Sequence, residues 1–416
     1  MTLRISTSMM YDRGTTQLGT LQSNMLKTQM QLSTGRRVLT PADDPVASAR
    51  ALEVTQSLEI NDQYKINRQT ATSSLAQVDT VLDTVGNLLD DVKDTVLYAG
   101  NPALSIADRE ALAVDLEARM ADLLGQANTA DGTGGYVFAG YKTNTLPFAR
   151  TETGATYYGD QGERELQVGS GRKMSISASG SQIFENNLTG NGTFLTKPRV
   201  PDPNDPADVG NTGTGIISPG TVTNATQLTG HNYTVTFAKE PTTGVMQYSV
   251  TDDTLGTEVV ALTDYKAGQP IAFDGVTFDV KGDPADLDKF TLEPSKNQSV
   301  FETIQNVINA LRSTGTGPTA GAKLTNALNE ANQNIQQASD NVLSVRASVG
   351  ARGKELDYLD SSGSEMAIQY KSQVADLIEV DPIEAASRFA QQTSSLQAAQ
   401  QTFKMATGLS LFNYLN

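Results

Sequence analysis

The chain has 416 residues, with 47 acidic against 31 basic side chains and a formal charge of -16. It has no cysteine and one histidine, His231, so disulfides, thiolate chemistry and clusters of histidine ligands are excluded, and the acidity leaves none of the basic face that a nucleic-acid binder needs. No apolar run approaches the roughly 20 residues of a membrane span, and no basic stretch with an apolar core opens the chain; taken alone, this points to the cytoplasm.

Ser6–Ser8 can cap a first helix, along which Tyr11, Gly14, Leu18, Leu21, Met25, Thr28 and Leu32 recur at spacings of three and four. That spacing is a seam for a partner helix. Thr34-Gly35 stops it. The loop 35–44, with Arg36, Arg37, Asp43 and Asp44, leads to Asp44-Pro45, an N-cap followed by proline at the first helical position. A second helix is predicted to about residue 98. Its stripe of Ala71, Leu75, Val78, Leu82, Val85, Leu89, Val92 and Val96 implies a length on the order of 80 Å. Ser105 with Asp108 opens a third helix, whose Ala107, Ala111, Val114, Ala118 and Ala121 predict a close-packing face.

Between 136 and 185, short runs such as Tyr136-Val137-Phe138 and Met174-Ser175-Ile176 between glycines predict β-hairpins. Residues 190–297 hold nine of the 15 prolines and 14 acidic against 7 basic residues. Alternation in Tyr233–Phe237, Gln247–Val250 and Val276–Val280 predicts a small β-domain, with Pro198–Asp208 as its linker or a mobile loop. Helical spacing returns in Phe301, Ile304, Ile308 and Leu311. A long seam follows through Leu324, Leu328, Ala331, Ile335, Ala338, Val342, Val345, Val349, Leu356, Leu359, Met366, Tyr370, Leu377 and Val380. Asp381-Pro382 with Glu384 caps a last helix striped by Phe389, Leu396, Ala399 and Phe403, before an apolar tail that includes Leu411 and Phe412.

The expected fold is mainly α with inserted β: a long antiparallel helical rod built from both chain ends, carrying β-hairpins and a separate small β-domain. Three parts are expected: 1–40 with 381–416 as a terminal coiled-coil assembly arm, 41–187 with 298–380 as the helical core, and 188–297 as an outer β-domain. One pair of helices cannot cover both terminal seams and the tail. The first 40 residues carry five basic side chains and only Asp12 as acid, which suits dense packing of copies. Leu18, Leu21, Met25, Leu32, Phe389, Leu396, Phe403, Leu411 and Phe412 are the expected assembly contacts, on ends that are mobile in the free monomer. Arg36, Arg37, Asp43 and Asp44 are expected to join arm to core or simply to cap a turn.

No nucleophile–base set appears, so an enzyme is not expected, and neither is a cofactor or metal. Asp279, Asp283, Asp286 and Asp288 lack the glycine and terminal glutamate of a calcium loop and read as solvated loop. His231, between Gly230 and Asn232, reads as a loop residue.

Leu3-Arg4-Ile5-Ser6-Thr7, the run Gln31–Val38 and the run Thr40–Ala47 resemble the flagellin superfamily, most narrowly its hook–filament junction branch. Gly135–Gly140, Tyr158-Gly159-Asp160 and Val349-Gly350-Ala351-Arg352 resemble the same branch, whereas 190–297 match no pattern of it. The resemblance implies a structural adaptor of the bacterial flagellum, exported without signal cleavage through the flagellar type III channel. It also implies its partners: neighbouring copies, a hook-side hook-associated protein, flagellin, and a chaperone at the C-terminal region. A filament-forming flagellin, or an adhesive or glycan-binding role for the β-domain, are the alternatives.

Overall fold

The computed structural model describes residues 7–132, 134–201, 210–313 and 315–412, with side chains from 8 to 407. Among the described residues seven α-helices run in chain order: α1 (Thr7–Thr34), α2 (Pro45–Ala99), α3 (Ile106–Ala127), α4 (Gly180–Phe184), α5 (Val300–Ser313), α6 (Pro318–Ile378) and α7 (Pro382–Phe412). Their starts follow the sequence signals. Asp44 Oδ1 accepts the Ala47 amide at 3.0 Å, Ser105 and Asp108 close a reciprocal capping box, and Asp381 Oδ1 accepts Ile383 N at 2.8 Å. α1 ends at Gly35, whose φ of 69° is the left-handed conformation that glycine adopts without strain. α6 runs unbroken through Gly350 and Gly353.

Contacts divide the chain into two units: residues up to Asn67 with those from Tyr358 onward, and Arg68–Asp357. The second unit holds most of the buried side chains. The α2 stripe from Ala71 to Val96 and the α6 stripe from Leu324 to Leu356 are buried as their spacing predicts. Exposed ion pairs fix register between helices rather than adding much stability. Arg346 of α6 spans Asp79 and Asp83 of α2 at 3.1 and 2.8 Å, and Arg312 of α5 spans Glu110 and Glu117 of α3 at 2.9 and 2.8 Å. Phe138, Phe148, Phe184 and Phe301 are fully buried together, with ring centroids 5.3 to 5.8 Å apart. Each contributes about 1.5–3 kcal/mol of burial.

Three local expectations fail in ways that packing explains. α3 buries Ala113, Leu116, Met120, Leu123 and Ala127, and the stripe of Ala107, Ala111, Val114, Ala118 and Ala121 faces outward. Two stripes compete on this helix, and the one with leucine and methionine removes more apolar area from water. Tyr136-Val137-Phe138 forms no hairpin strand. Tyr136 makes one isolated bridge to Ala130, while Val137 and Phe138 are buried as turn residues. Met366 stands exposed although the α6 seam includes it.

Two hairpins precede the insertion: β1 (Phe148–Thr151) with β2 (Gly154–Tyr157), and β3 (Glu165–Gly169) with β4 (Arg172–Ser175). The insertion follows as β5 (Asn187–Leu188), β6 (Phe194–Pro198), β7 (Ile216–Ile217), β8 (Thr221–Val222), β9 (Tyr233–Lys239), β10 (Met246–Asp252), β11 (Thr257–Asp264), β12 (Pro270–Phe273), β13 (Val276–Lys281), β14 (Lys289–Pro294) and β15 (Asn297–Gln298). One sheet has the order β11-β10-β9-β14-β6 and a second has β12-β13-β7, with β8 also on β13. β5 pairs with β15, so the chain entering and leaving the insertion is zipped together. Alternate residues face one core, including Tyr233, Val235 and Phe237 of β9 and Val276, Phe278 and Val280 of β13.

Within the insertion His231 lies in a loop, as expected, with Nδ1 2.6 Å from Oδ2 of buried Asp252. Asp288 is not solvated. It is buried and accepts the amides of Thr212, Gly213 and Ala285 at 2.8 to 3.0 Å, pinning the loop before β7 to the turn before β14. Of the linker Pro198–Asp208, residues 202–208 lie outside the described residues.

Candidate assembly site

The first unit is built from both chain ends. α1 and α7 run antiparallel: Gly14 meets Phe403 near one end, and Arg36 bridges Glu379 near the other. Leu18, Leu21, Met25 and Leu32 on α1, and Phe389, Leu396 and Phe403 on α7, are all half-buried along this pair. The side chains of Leu411 and Phe412 lie outside the described residues. Gly14 is there for proximity. A Cβ at that position would lie 2.6 Å from the Phe403 ring, which also sits 5.3 Å, centroid to centroid, from Tyr11.

The loop 35–44 fastens α1 to the end of α6. Arg37 donates from its backbone N to Ile378 O and from Nη2 to Leu377 O, both at 2.7 Å, and Val380 N returns a bond to Gly35 O at 3.0 Å. Gln31, buried, donates to Arg37 O at 2.6 Å. Asp43 accepts Lys27 Nζ at 2.6 Å and the amides of Thr40 and Leu39 at 2.9 and 3.1 Å. The Lys27 hydrogen bond and then the Thr40 amide hold its carboxyl down to about 2. Asp44 is lowered by the Ala47 amide and by Arg37 at 3.3 Å. Arg37, Asp43 and Asp44 therefore have defined side-chain partners inside this unit, and Arg36 meets Glu379 through a backbone bridge. α2 and α6 are joined there by Asn61, whose buried Nδ2 donates to Gly363 O at 2.8 Å.

The distribution of apolar surface sets this unit apart. Of its apolar side chains among the described residues, only Val38, Ala47, Ala51 and Ala385 are buried. Among the described residues, 14 of the 28 exposed large apolar side chains belong to it, although it spans under a third of the chain. They include Met9, Met10, Leu26 and Met30 on α1 and Ile383 and Met405 on α7, which lie off the seams. Sequence spacing missed them because a seam search discards apolar residues outside the main stripe. An apolar residue on the polar side of an amphipathic helix was the available signal.

Two family models match the sequence: the bacterial flagellin N-terminal helical region over residues 5–143, and the D2-like domain of flagellar hook-associated protein 1 over 207–294. The second covers the insertion that showed no recognisable pattern. Flagellar hook-associated protein 3 of Salmonella typhimurium is 29% identical over 411 residues, covering 99% of each chain. Among solved structures, hook associated protein-3 of Legionella pneumophila is 30% identical with a TM-score of 0.73, covering 78% of this chain and 98% of its own. The flagellar junction protein FlgL of the same organism is 30% identical with a TM-score of 0.71, covering 79% of this chain and all of its own. The chain belongs to the flagellar hook-associated protein 3 family. As a hook-associated protein 3 homologue it is a structural component of the bacterial flagellum and not an enzyme. No described helix is long and apolar enough to cross a membrane.

Proposed function

We propose that the protein is the adaptor that joins the hook-side hook-associated protein to the flagellin filament, packed with neighbouring copies in a helical layer. In this reading residues 1–40 with 381–416 are the assembly arm, 41–187 with 298–380 carry it, and 188–297 face outward. The observation that supports it is the first unit's shortage of core beside its surplus of exposed apolar side chains. Neighbours would cover the open sides of Leu18, Leu21, Met25, Leu32, Phe389, Leu396 and Phe403, together with Leu26, Met30 and Ile383. Each Å² so buried contributes roughly 25 cal/mol. An adaptor needs different faces for different partners, which is the heterologous contact of open helical assemblies. Arg36, Arg37, Asp43 and Asp44 would hold the arm to its carrier while load passes through it. Export would run through the flagellar channel, with a chaperone covering the C-terminal region until assembly.

Deletion of the coding region tests the reading. Cells should keep their hooks and secrete flagellin but carry no attached filaments; filaments still anchored to hooks would overturn it. Purified chain that polymerises unaided into long filaments would favour a filament-forming flagellin instead.

A further inference from the structure

The chain has no cysteine, so its ten methionine thioethers are its only sulfur. Their placement is uneven. Met9, Met10 and Met30 on α1, Met366 on α6 and Met405 on α7 are 42 to 62% exposed, and all five belong to the first unit. In the second unit Met120 and Met174 are buried, at 2 and 5% exposed, and Met246 is half-buried against the β-domain core. A peroxide in solution therefore reaches one set and is kept from the other.

Oxygen transfer from hydrogen peroxide to a thioether needs no further reactant. The O–O bond breaks, an S–O bond forms and water leaves; sulfur gives up two electrons and the peroxide takes them. The sulfoxide is polar where the thioether was apolar. On a free chain water solvates the new oxygen at these exposed positions, so the folded unit loses little. Against a neighbour the outcome differs. Met30 lines a shallow groove on α1 with Leu26 and Leu39, and Met9 lines a second beside Asp12 and Arg13. A sulfoxide oxygen covered there by an apolar surface would be stranded without a donor.

We propose that Met9, Met10, Met30, Met366 and Met405 are a reversible oxidation site, through which hydrogen peroxide keeps a free copy from assembling. This rests on the adaptor reading, because it acts on the surface that neighbours are proposed to cover. Order of events sets the effect: oxidation before assembly blocks it, whereas thioethers already covered by neighbours are out of reach.

The full chain is treated with dilute hydrogen peroxide, mapped by peptide mass spectrometry, and supplied to hook-bearing, flagellin-secreting cells that lack the gene; attached filaments are then counted. Mapping should find sulfoxide at the five exposed methionines and intact thioether at Met120 and Met174, with the melting temperature unchanged. Oxidised chain should anchor about tenfold fewer filaments than untreated chain. Methionine sulfoxide reductases with a thiol reductant should restore the untreated count. The joint variant Met9→Leu, Met10→Leu, Met30→Leu, Met366→Leu and Met405→Leu, a volume-conserving change, should anchor filaments whether or not it has met peroxide. If that variant anchors none even untreated, the reductase repair of the parent chain decides. Oxidation of Met120 and Met174 as fast as the exposed five, equal anchoring by oxidised and untreated chain, or a defect that the reductases leave in place would each overturn the proposal and leave the adaptor reading standing. Untreated parent chain that anchors no filament would overturn the adaptor reading, and this proposal with it.

Discussion

Asp43 shows how one carboxylate organises the turn after α1. Its depressed pKa means that the folded state binds its proton less readily than the unfolded chain does. The stabilisation is therefore present above about pH 4 and is lost as pH falls through about 2. Hydrogen exchange should show the Leu39 and Thr40 amides losing protection across that window, and Lys27→Ala should move the loss to higher pH. Unchanged protection at low pH would mean that the carboxylate does not hold the turn. Gly14 allows a sharper test. Glycine inside a helix costs about 1 kcal/mol relative to alanine, yet a methyl here meets the Phe403 ring. Gly14→Ala should loosen the α1–α7 pair in the parent chain and strengthen it, by about 1 kcal/mol, in a Phe403→Ala background. The sign reversal, read from helicity on denaturant titration, identifies the contact. Asp160 explains part of the Tyr158-Gly159-Asp160 motif. It accepts the amides of Tyr141, Lys142 and Gly162 at 2.8 to 3.1 Å, work that requires an acceptor at that position.

At the scale of elements, α3 separates the two apolar stripes it carries. Leu116→Ala on the buried face should cost about 2–5 kcal/mol in urea unfolding, and Val114→Ala on the outward face within about 0.5 kcal/mol. Equal effects would contradict the packing. The helices were legible in the sequence because their signals are local: caps at Asp44, Ser105 and Asp381, a stop at Gly35, and stripes that repeat over many turns. The choice between two stripes on α3 was not legible. It depends on what α5 offers across the gap, and the small residues formed the tidier pattern. The β-domain was legible as strands and not as topology. β9 lies between β10, its sequence neighbour, and β14, some fifty residues on, and nothing local encodes that pairing. Asp288 was read as solvated because the partners that bury it, Thr212 and Gly213, lie some 75 residues away. In the terminal helices the seam was readable, whereas the apolar residues behind it needed burial to be noticed.

Taken whole, the chain divides its stabilising interactions unevenly. The second unit carries the aromatic cluster, both long buried stripes and the sandwich core, while the first depends on a half-covered helix pair and one bonded loop. Trypsin should therefore cut a dilute monomer first at Arg13, Lys27, Arg388 and Lys404, leaving a fragment that contains Arg68–Asp357. Equal resistance of both units would sink the assembly reading, because arms that need no neighbours gain nothing from them.

The pairing of α1 with α7 also bears on synthesis. The mate of α1 is α7, made more than 340 residues later. A nonsense codon or frameshift anywhere between them yields a product whose opening helix has nothing to close upon. On the assembly reading proposed above, such truncated molecules would be disqualified from polymerisation by geometry alone, and the growing organelle would need no separate inspector to reject them.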